Sequence, residues 1–276
     1  MKRIGMAVLY VGLAVWMAVC TGLSGMAQDE AAVTAFAPAE EENLFAVETE
    51  PPVQAEFAIE VLGVGRQERK RVLIYHTHTY EAFAQVEGDR YQETEKWRSA
   101  DSRYNMVRVG EELSALLRSL GVDVVHDTTA FEPPVLSSAY SRSLDMLSRR
   151  KAGGETYDLY IDLHRDAYIE NQKGPNAVDV NGAKAARLMV LIGSGQAFDE
   201  KPDWETNLVI ARSITDSLNR QAEGLCRDVS VKTGRYNQHI ANGCILVEAG
   251  NNRNTLEEVL CAMPYLADAI CETLGV

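Results

Sequence analysis

Between residues 71 and 274 short β-rich runs alternate with stretches of helical period, and this alternation restricts the fold more than any other feature of the chain. Arg71 to Tyr75, Val122 to Val125, Tyr157 to Leu163, Arg187 to Ile192 and Cys244 to Val247 read as strands. Asn105 to Leu120 sets Met106, Val109, Leu113 and Leu117 on one helix face, with Gly121 as the stop. Ser141 to Arg150, Asn207 to Arg220 and Thr255 to Leu274 give three further helices. Strand, helix, strand order predicts an α/β domain with a mostly parallel central sheet flanked by helices. Ligands of such sheets bind beyond the carboxyl ends of the strands, so residues just past a strand carry functional weight.

Three strands end in groups suited to acid–base or metal chemistry. The first runs into His76-Thr77-His78-Thr79-Tyr80-Glu81, another into His164-Arg165-Asp166, and the last into Glu248-Ala249-Gly250. Two neutral imidazoles and a carboxylate suit a hydrolytic zinc site, which keeps one position open for water, and a further carboxylate can serve as general base. Glu81, Asp101 and Asp166 are the carboxylates able to complete the ligand set. Asp101, shortly before the helix from Asn105, equally reads as a helix cap. His126 reads as structural, whereas His239 lies in a polar loop from Arg235 to Asn242 and can face a substrate. Cys226, Cys244, Cys261 and Cys271 lack Cys-x-x-Cys spacing and read as small buried apolar residues.

Lys2 and Arg3 precede an uncharged run from Ile4 to about Ala27, long enough to cross a hydrocarbon core of about 30 Å as a helix. Residues 1–27 are therefore expected to form a transmembrane anchor or a signal segment, the latter cut after Gly25-Met26-Ala27. The basic residues before the span place the rest of the chain outside the cytoplasm. Residues 28–57 are rich in Ala, Glu and Pro and read as an acidic disordered linker, which leaves 58–276 for the domain. The 276-residue chain has 27 Lys and Arg against 40 Asp and Glu, a net charge of −13. A surface of that sign repels phosphate backbones, so nucleic acid is not an expected partner.

Five segments together carry a family resemblance: His76-Thr77-His78-Thr79, Arg98 to Asn105, Asp162-Leu163-His164-Arg165-Asp166, Tyr236-Asn237-Gln238-His239 and Val247 to Thr255. In these the chain resembles the stage II sporulation protein P family, cell-wall hydrolases of endospore-forming bacteria, and more distantly the zinc-dependent N-acetylmuramoyl-L-alanine amidases. The amidase pattern implies one zinc ion per chain held by His78, Asp101 and His164, with Glu248 as the catalytic base. The chain departs from it in having Asp101 where the wider family has Glu, His76-Thr77 in place of Pro-Gly, and Tyr80 where sporulation relatives often have Ser. Glu81 and His76 are thus alternative ligands, and His76, Glu81, Arg98, Arg103 and His239 are otherwise expected to touch substrate or orient the ligands.

The implied activity is cleavage of the amide between N-acetylmuramic acid and L-alanine in peptidoglycan during engulfment, with cleavage of peptide cross-links as an extension. The resemblance further implies a single-pass membrane location with the domain extracytoplasmic, and a sporulation membrane complex that includes a glycan-cleaving enzyme. Two other readings stay open: a tethered wall-binding scaffold without catalysis, and a zinc peptidase acting only on stem peptides.

Overall fold

The computed structural model describes residues 68–170 and 174–276, so the expected anchor (1–27) and linker (28–57) lie outside the described residues. The elements run β1 (Arg71–Tyr75), α1 (Met106–Ser119), β2 (Asp123–His126), α2 (Ala139–Ala152), β3 (Leu159–Asp166), β4 (Ala177–Val180), β5 (Ala183–Ala186), β6 (Leu188–Gly193), α3 (Trp204–Gln221), β7 (Ser230–Lys232), β8 (Cys244–Asn251) and α4 (Leu256–Leu274). Six strands form one sheet in the order β2-β1-β3-β8-β6-β7, and β4 with β5 forms a separate hairpin.

Strands β2, β1, β3 and β8 are mutually parallel, as the alternation predicts. β6 runs antiparallel to β8, and β7 follows β6. Among the described residues the chain between β3 and β6 contains the hairpin and no helix, and a parallel return needs a crossover long enough to span the sheet. The hairpin turns at Asn181 and Gly182, with φ of 51° and 84°. Both residues tolerate the left-handed backbone that a two-residue hairpin turn demands. Asn-Gly is the signal that marks this hairpin in the sequence, where the strand and helix periods pass over it.

Parallel strands covered on both faces read as continuous apolar runs, and the period of two decides which side chain meets which helix. Val72, Ile74, Ile161, Leu163, Ile245 and Val247 pack into the core built with α1, α3 and α4. Leu73, Tyr75, Tyr160 and Cys244 pack against Ala139, Met146 and Leu147 of α2. By the same parity Asp162, His164 and Glu248 fall on the α2 face, which therefore turns polar toward the carboxyl ends of the strands. Helix α4 is framed by a reciprocal Thr255–Glu258 cap and a left-handed Gly275. Cys226, Cys244 and Cys271 are buried free thiols and Cys261 is half-buried, in keeping with the packing role read from the sequence.

His76 is fully buried, with Nδ1 2.9 Å from the Leu163 carbonyl oxygen and Nε2 2.8 Å from Nε2 of His126. A carbonyl only accepts, so His76 Nδ1–H donates to it and Nε2 must accept from His126. Burial, then the neighbouring His126, lowers the pKa of His76 to about 3; burial, then Arg118, lowers that of His126 to about 4. Gly110 of α1 faces this neutral pair. A Cβ there would stand 2.4 Å from His126 Nε2 and 2.6 Å from His76 Nε2. Gly to Ala inside a helix ordinarily stabilises by about 0.5–1 kcal/mol. Overpacking against two hydrogen-bonded rings costs about 1–3 kcal/mol and outweighs that gain. Gly110→Ala is expected to lower the urea midpoint; a raised midpoint would show that the pair can move aside.

Candidate active site

The neighbouring parallel strands β1, β3 and β8 deliver His78, His164 and Glu248 to one edge of the sheet, His164 and Glu248 being in register across β3 and β8. The rings of His78 and His164 lie 5.3 Å apart between centroids and nearly perpendicular, at 87°. Asp162, two residues before His164 on the same strand face, places Oδ1 2.8 Å from His164 Nε2. The contact is too bent for a well-formed hydrogen bond. Asp162 is itself fixed from below, accepting from the backbone N of Thr77 at 2.8 Å and from its hydroxyl at 2.7 Å. The other nitrogen of His164, Nδ1, faces Glu81 Oε2 at 3.4 Å, and that oxygen also accepts from the backbone N of Arg165 at 3.1 Å.

Charge in this cluster is set by burial against partners. Burial works against a protonated His164, but Asp162 and Glu81 outweigh it and hold the imidazole well above its ordinary pKa. Burial likewise pushes Glu81 up, and His164, then Arg165 and His78, override it and bring the carboxyl down to about 2. Glu248 is different. Burial leads, His164 opposes it, and Glu81 and Asp166 add repulsion, so its pKa rises to about 8. On the opposite flank His78 Nδ1 stands 3.6 Å from Glu132 Oε1, and the Arg98 guanidinium rests on the same carboxylate. His78 Nδ1 and Glu248 Oε2 are both buried without a hydrogen-bond partner. Buried polar atoms are almost always paired, so two such orphans at one sheet edge mark a place built to receive something.

Two clefts flank the histidines. One, of about 370 Å³, is lined by Tyr140, Tyr236, Arg235 and Phe198. The other, of about 240 Å³, is lined by Tyr80, Arg98, Glu132 and Pro134.

Residues 26–271 match the family model of Stage II sporulation protein P (SpoIIP). The chain belongs to this family. The Stage II sporulation protein P of Bacillus subtilis (strain 168) is 26% identical over 216 residues, which is 74% of this chain and 51% of that protein, so the chain spans about half the length of the curated relative it matches. Among solved structures, the chain is similar to N-acetylmuramoyl-L-alanine amidase AmiC2 of Nostoc punctiforme, with 14% identity, a TM-score of 0.45, and coverage of 74% of this chain and 94% of that one. It is also similar to the CwlD amidase of Clostridioides difficile in complex with the GerS lipoprotein, with 12% identity, a TM-score of 0.48, and coverage of 75% and 97%. For a metallo-carboxypeptidase of Burkholderia cenocepacia the values are 12%, 0.40, 75% and 57%.

The SpoIIP segments singled out in the sequence fall unevenly around the site. His78, Glu81, His164 and Glu248 come together, and Arg98 joins them through Glu132. Asp101 does not. Its Oδ1 accepts from the backbone N of Arg103 at 3.1 Å and its Oδ2 from Arg103 Nη2 at 2.6 Å, and the carboxylates that contact His78 and His164 are Glu132, Glu81 and Asp162. A partner two residues along a tight turn holds Asp101 at the surface. Nor does it cap α1, because Asn105 does so by accepting from Val107 N at 2.9 Å. Arg103 is exposed and paired with Asp101. His76 has both ring nitrogens engaged, with Leu163 and with His126. Asp166 is held by Arg227 at 2.7 Å. His239 is largely buried, with Nε2 3.7 Å from Glu200 and its pKa lowered by burial and then Arg235. Sequence reasoning missed Asp162, Glu132 and Tyr140. Of these only Asp162 left a signal, its i, i+2 spacing to His164 on one strand.

Proposed function

We propose that this chain is a peptidoglycan hydrolase that cleaves the amide between N-acetylmuramic acid and L-alanine, using one zinc ion held by His78, Glu81 and His164 and Glu248 as general base. The observation that carries the reading is the pair of perpendicular imidazoles at adjacent strand ends, with Glu81 against one of them and a half-buried Glu248, its Oε2 buried and unpartnered, beside them. Two histidines and one carboxylate are a ligand set of hydrolytic zinc. Two donors on one tetrahedral zinc stand about 3.3 Å apart, and His164 Nδ1 and Glu81 Oε2 are separated by 3.4 Å. Asp162 holds the opposite nitrogen of His164, as an orienting carboxylate does for a ligand histidine. Among the described residues no three such side chains already converge on one point, so it is the donor types and this paired spacing that fit the metal.

Bound there, zinc would polarise the amide carbonyl and acidify a water molecule. Glu248 takes the proton of the attacking water and returns it to the departing nitrogen. Asp162 and Thr77 keep His164 in one orientation throughout. Membership of a sporulation family supports the cell wall as substrate. In this reading residues 1–27 tether the domain outside the membrane, within reach of that wall and of a glycan-cleaving partner.

The test is digestion of purified peptidoglycan followed by mass spectrometry, together with elemental analysis. Glycan freed of its stems, stem peptides with new L-alanine amino termini, and about one zinc per chain that is lost in His78→Ala and His164→Ala are expected. Shortened stems still attached to muramic acid would replace the amidase by a stem peptidase. No product and no zinc after supplementation would leave a non-catalytic scaffold.

A further inference from the structure

Helix α2 opens with Ala139 and Tyr140, and the Tyr140 ring lies between the histidines and the larger cleft. It stands edge-on to His78, 5.6 Å between centroids at 89°, and parallel to His164, 6.5 Å at 12°. It also lines the cavity of about 370 Å³ together with Tyr236.

Its position is imposed rather than incidental. The Tyr140 carbonyl accepts from Asn237 Nδ2 at 2.8 Å and from Ser143 Oγ at 3.2 Å, bonds that fix the backbone and do not engage the hydroxyl. Tyr236 packs edge-on against the ring, 6.0 Å between centroids. Tyr236 and Asn237 hold φ of 48° and 57°, a left-handed backbone that costs non-glycine residues energy and survives where the surroundings enforce it. The ring of Tyr236 fits only because positions 193 and 234 are glycines, where a Cβ would come within 2.8 and 2.7 Å of it. The Tyr236-Asn237-Gln238-His239 segment thus serves as a brace for Tyr140.

The edge of the sheet is crowded with carboxylates, and an amide carbonyl that is attacked there gathers negative charge on its oxygen. Arg98 is engaged with Glu132, Arg165 with the carbonyls of Ala82 at 2.8 Å and Trp97 at 3.0 Å, and Arg235, in the same cleft as Tyr140, faces Glu200 at 3.6 Å. The Tyr140 hydroxyl is free of such commitments. A phenol is protonated at neutral pH, so it acts there as a neutral donor.

We infer that Tyr140 is a catalytic residue of the amide hydrolysis proposed above, its hydroxyl donating a hydrogen bond to the scissile carbonyl oxygen as that oxygen becomes anionic. Tyr140 keeps its proton throughout. Water adds to the carbonyl carbon, the carbon–nitrogen bond breaks, and the proton travels from water through Glu248 to the leaving nitrogen. The inference rests on the proposed function and concerns a different residue from those that define it.

Full-length wild type, Tyr140→Phe and Tyr140→Leu would be compared on soluble wall fragments for kcat and KM, with zinc content and thermal unfolding measured on the same samples. Tyr140→Phe keeps the ring and removes only the donor. Losing one such donor lowers kcat by about 10²–10³-fold, and KM and zinc content should stay at wild-type values. Tyr140→Leu should lose at least as much kcat. A Tyr140→Phe enzyme with near wild-type kcat beside an impaired Tyr140→Leu would reduce Tyr140 to packing and overturn the inference. Loss of zinc from Tyr140→Phe would overturn it too, by making the residue a support for the histidines. A wild-type chain with neither zinc nor wall cleavage would remove the underlying reading, and this is told apart by wild type alone.

Discussion

Changing Glu248 to Gln should lower kcat on wall fragments by about 10²–10⁴-fold, the usual worth of a general base, with zinc content unchanged. Gln matches the shape and volume of Glu, so the buried site at the end of β8 keeps its packing, and the exchange removes only the ability to take a proton. Glu248 is in register with His164 without being the oxygen that faces its Nδ1, a place held by Glu81. Metal retention with lost turnover is therefore the signature of a base. Simultaneous loss of zinc would make Glu248 a ligand, and retention of more than a few per cent of activity would sink the base role.

The same substitution has a second consequence, opposite in sign, for the metal-free protein. The fold lifts the Glu248 carboxyl from an ordinary 4.5 to about 8, because burial favours the neutral form. A raised folded-state pKa gives a contribution that is complete below about pH 4.5 and is lost as pH climbs through about 8. Gln has no charge to hide, so the metal-free variant should overtake wild type across that window. Above it the gain levels off at roughly a few kcal/mol, as the size of the shift implies. Urea unfolding in the presence of chelator at pH 5 and pH 9 measures this, and a gap that fails to widen with pH would contradict the burial of an unpaired carboxyl.

How much of this was legible beforehand follows from what kind of information each residue carries. His78, His164 and Glu248 were readable because each follows an apolar run, and in a parallel sheet the carboxyl ends of strands meet at one edge. Asp162 obeyed the strand period and was within reach of the same logic. For Asp101, spacing before a helix says where a residue lies along the chain and nothing about which neighbour holds its carboxylate; here Arg103, two residues on, stands at 2.6 Å. Glu132 and Tyr140 come from the stretch between β2 and β3. Their arrival depends on the strand order β2-β1-β3, which local periodicity does not encode. The reversal of β6 was hidden for the same reason, since strand composition carries no direction. The β4–β5 hairpin, by contrast, was announced by Asn181-Gly182 and needed only attention to turn chemistry.

Asp101 and Glu81 can be separated by one paired experiment, and its outcome decides which carboxylate the zinc site uses. Glu81→Gln should weaken zinc binding by more than the 10–100-fold typical of losing a merely orienting neighbour, whereas Asp101→Ala should leave both zinc binding and turnover at wild-type values. The asymmetry follows from environment. Glu81 is buried, faces His164 Nδ1 at 3.4 Å and is anchored by Arg165 N, while Asp101 is paired with exposed Arg103. The fold holds the Glu81 carboxyl down to about 2 against an ordinary 4.5. Its stabilising contribution is therefore present above about pH 4.5 and lost as pH falls through about 2, and Glu81→Gln forgoes it at neutral pH. Folding of the variant is accordingly verified by circular dichroism before zinc is titrated against a chromophoric chelator. Asp162→Asn supplies the internal scale, because it disturbs an orienting group and not a ligand, and its loss should stay within the 10–100-fold range. Should Asp101→Ala lose zinc while folded Glu81→Gln retains it, the turn before α1 would have to swing its carboxylate away from Arg103 and onto the histidines, and the ligand set drawn from this structure would be wrong.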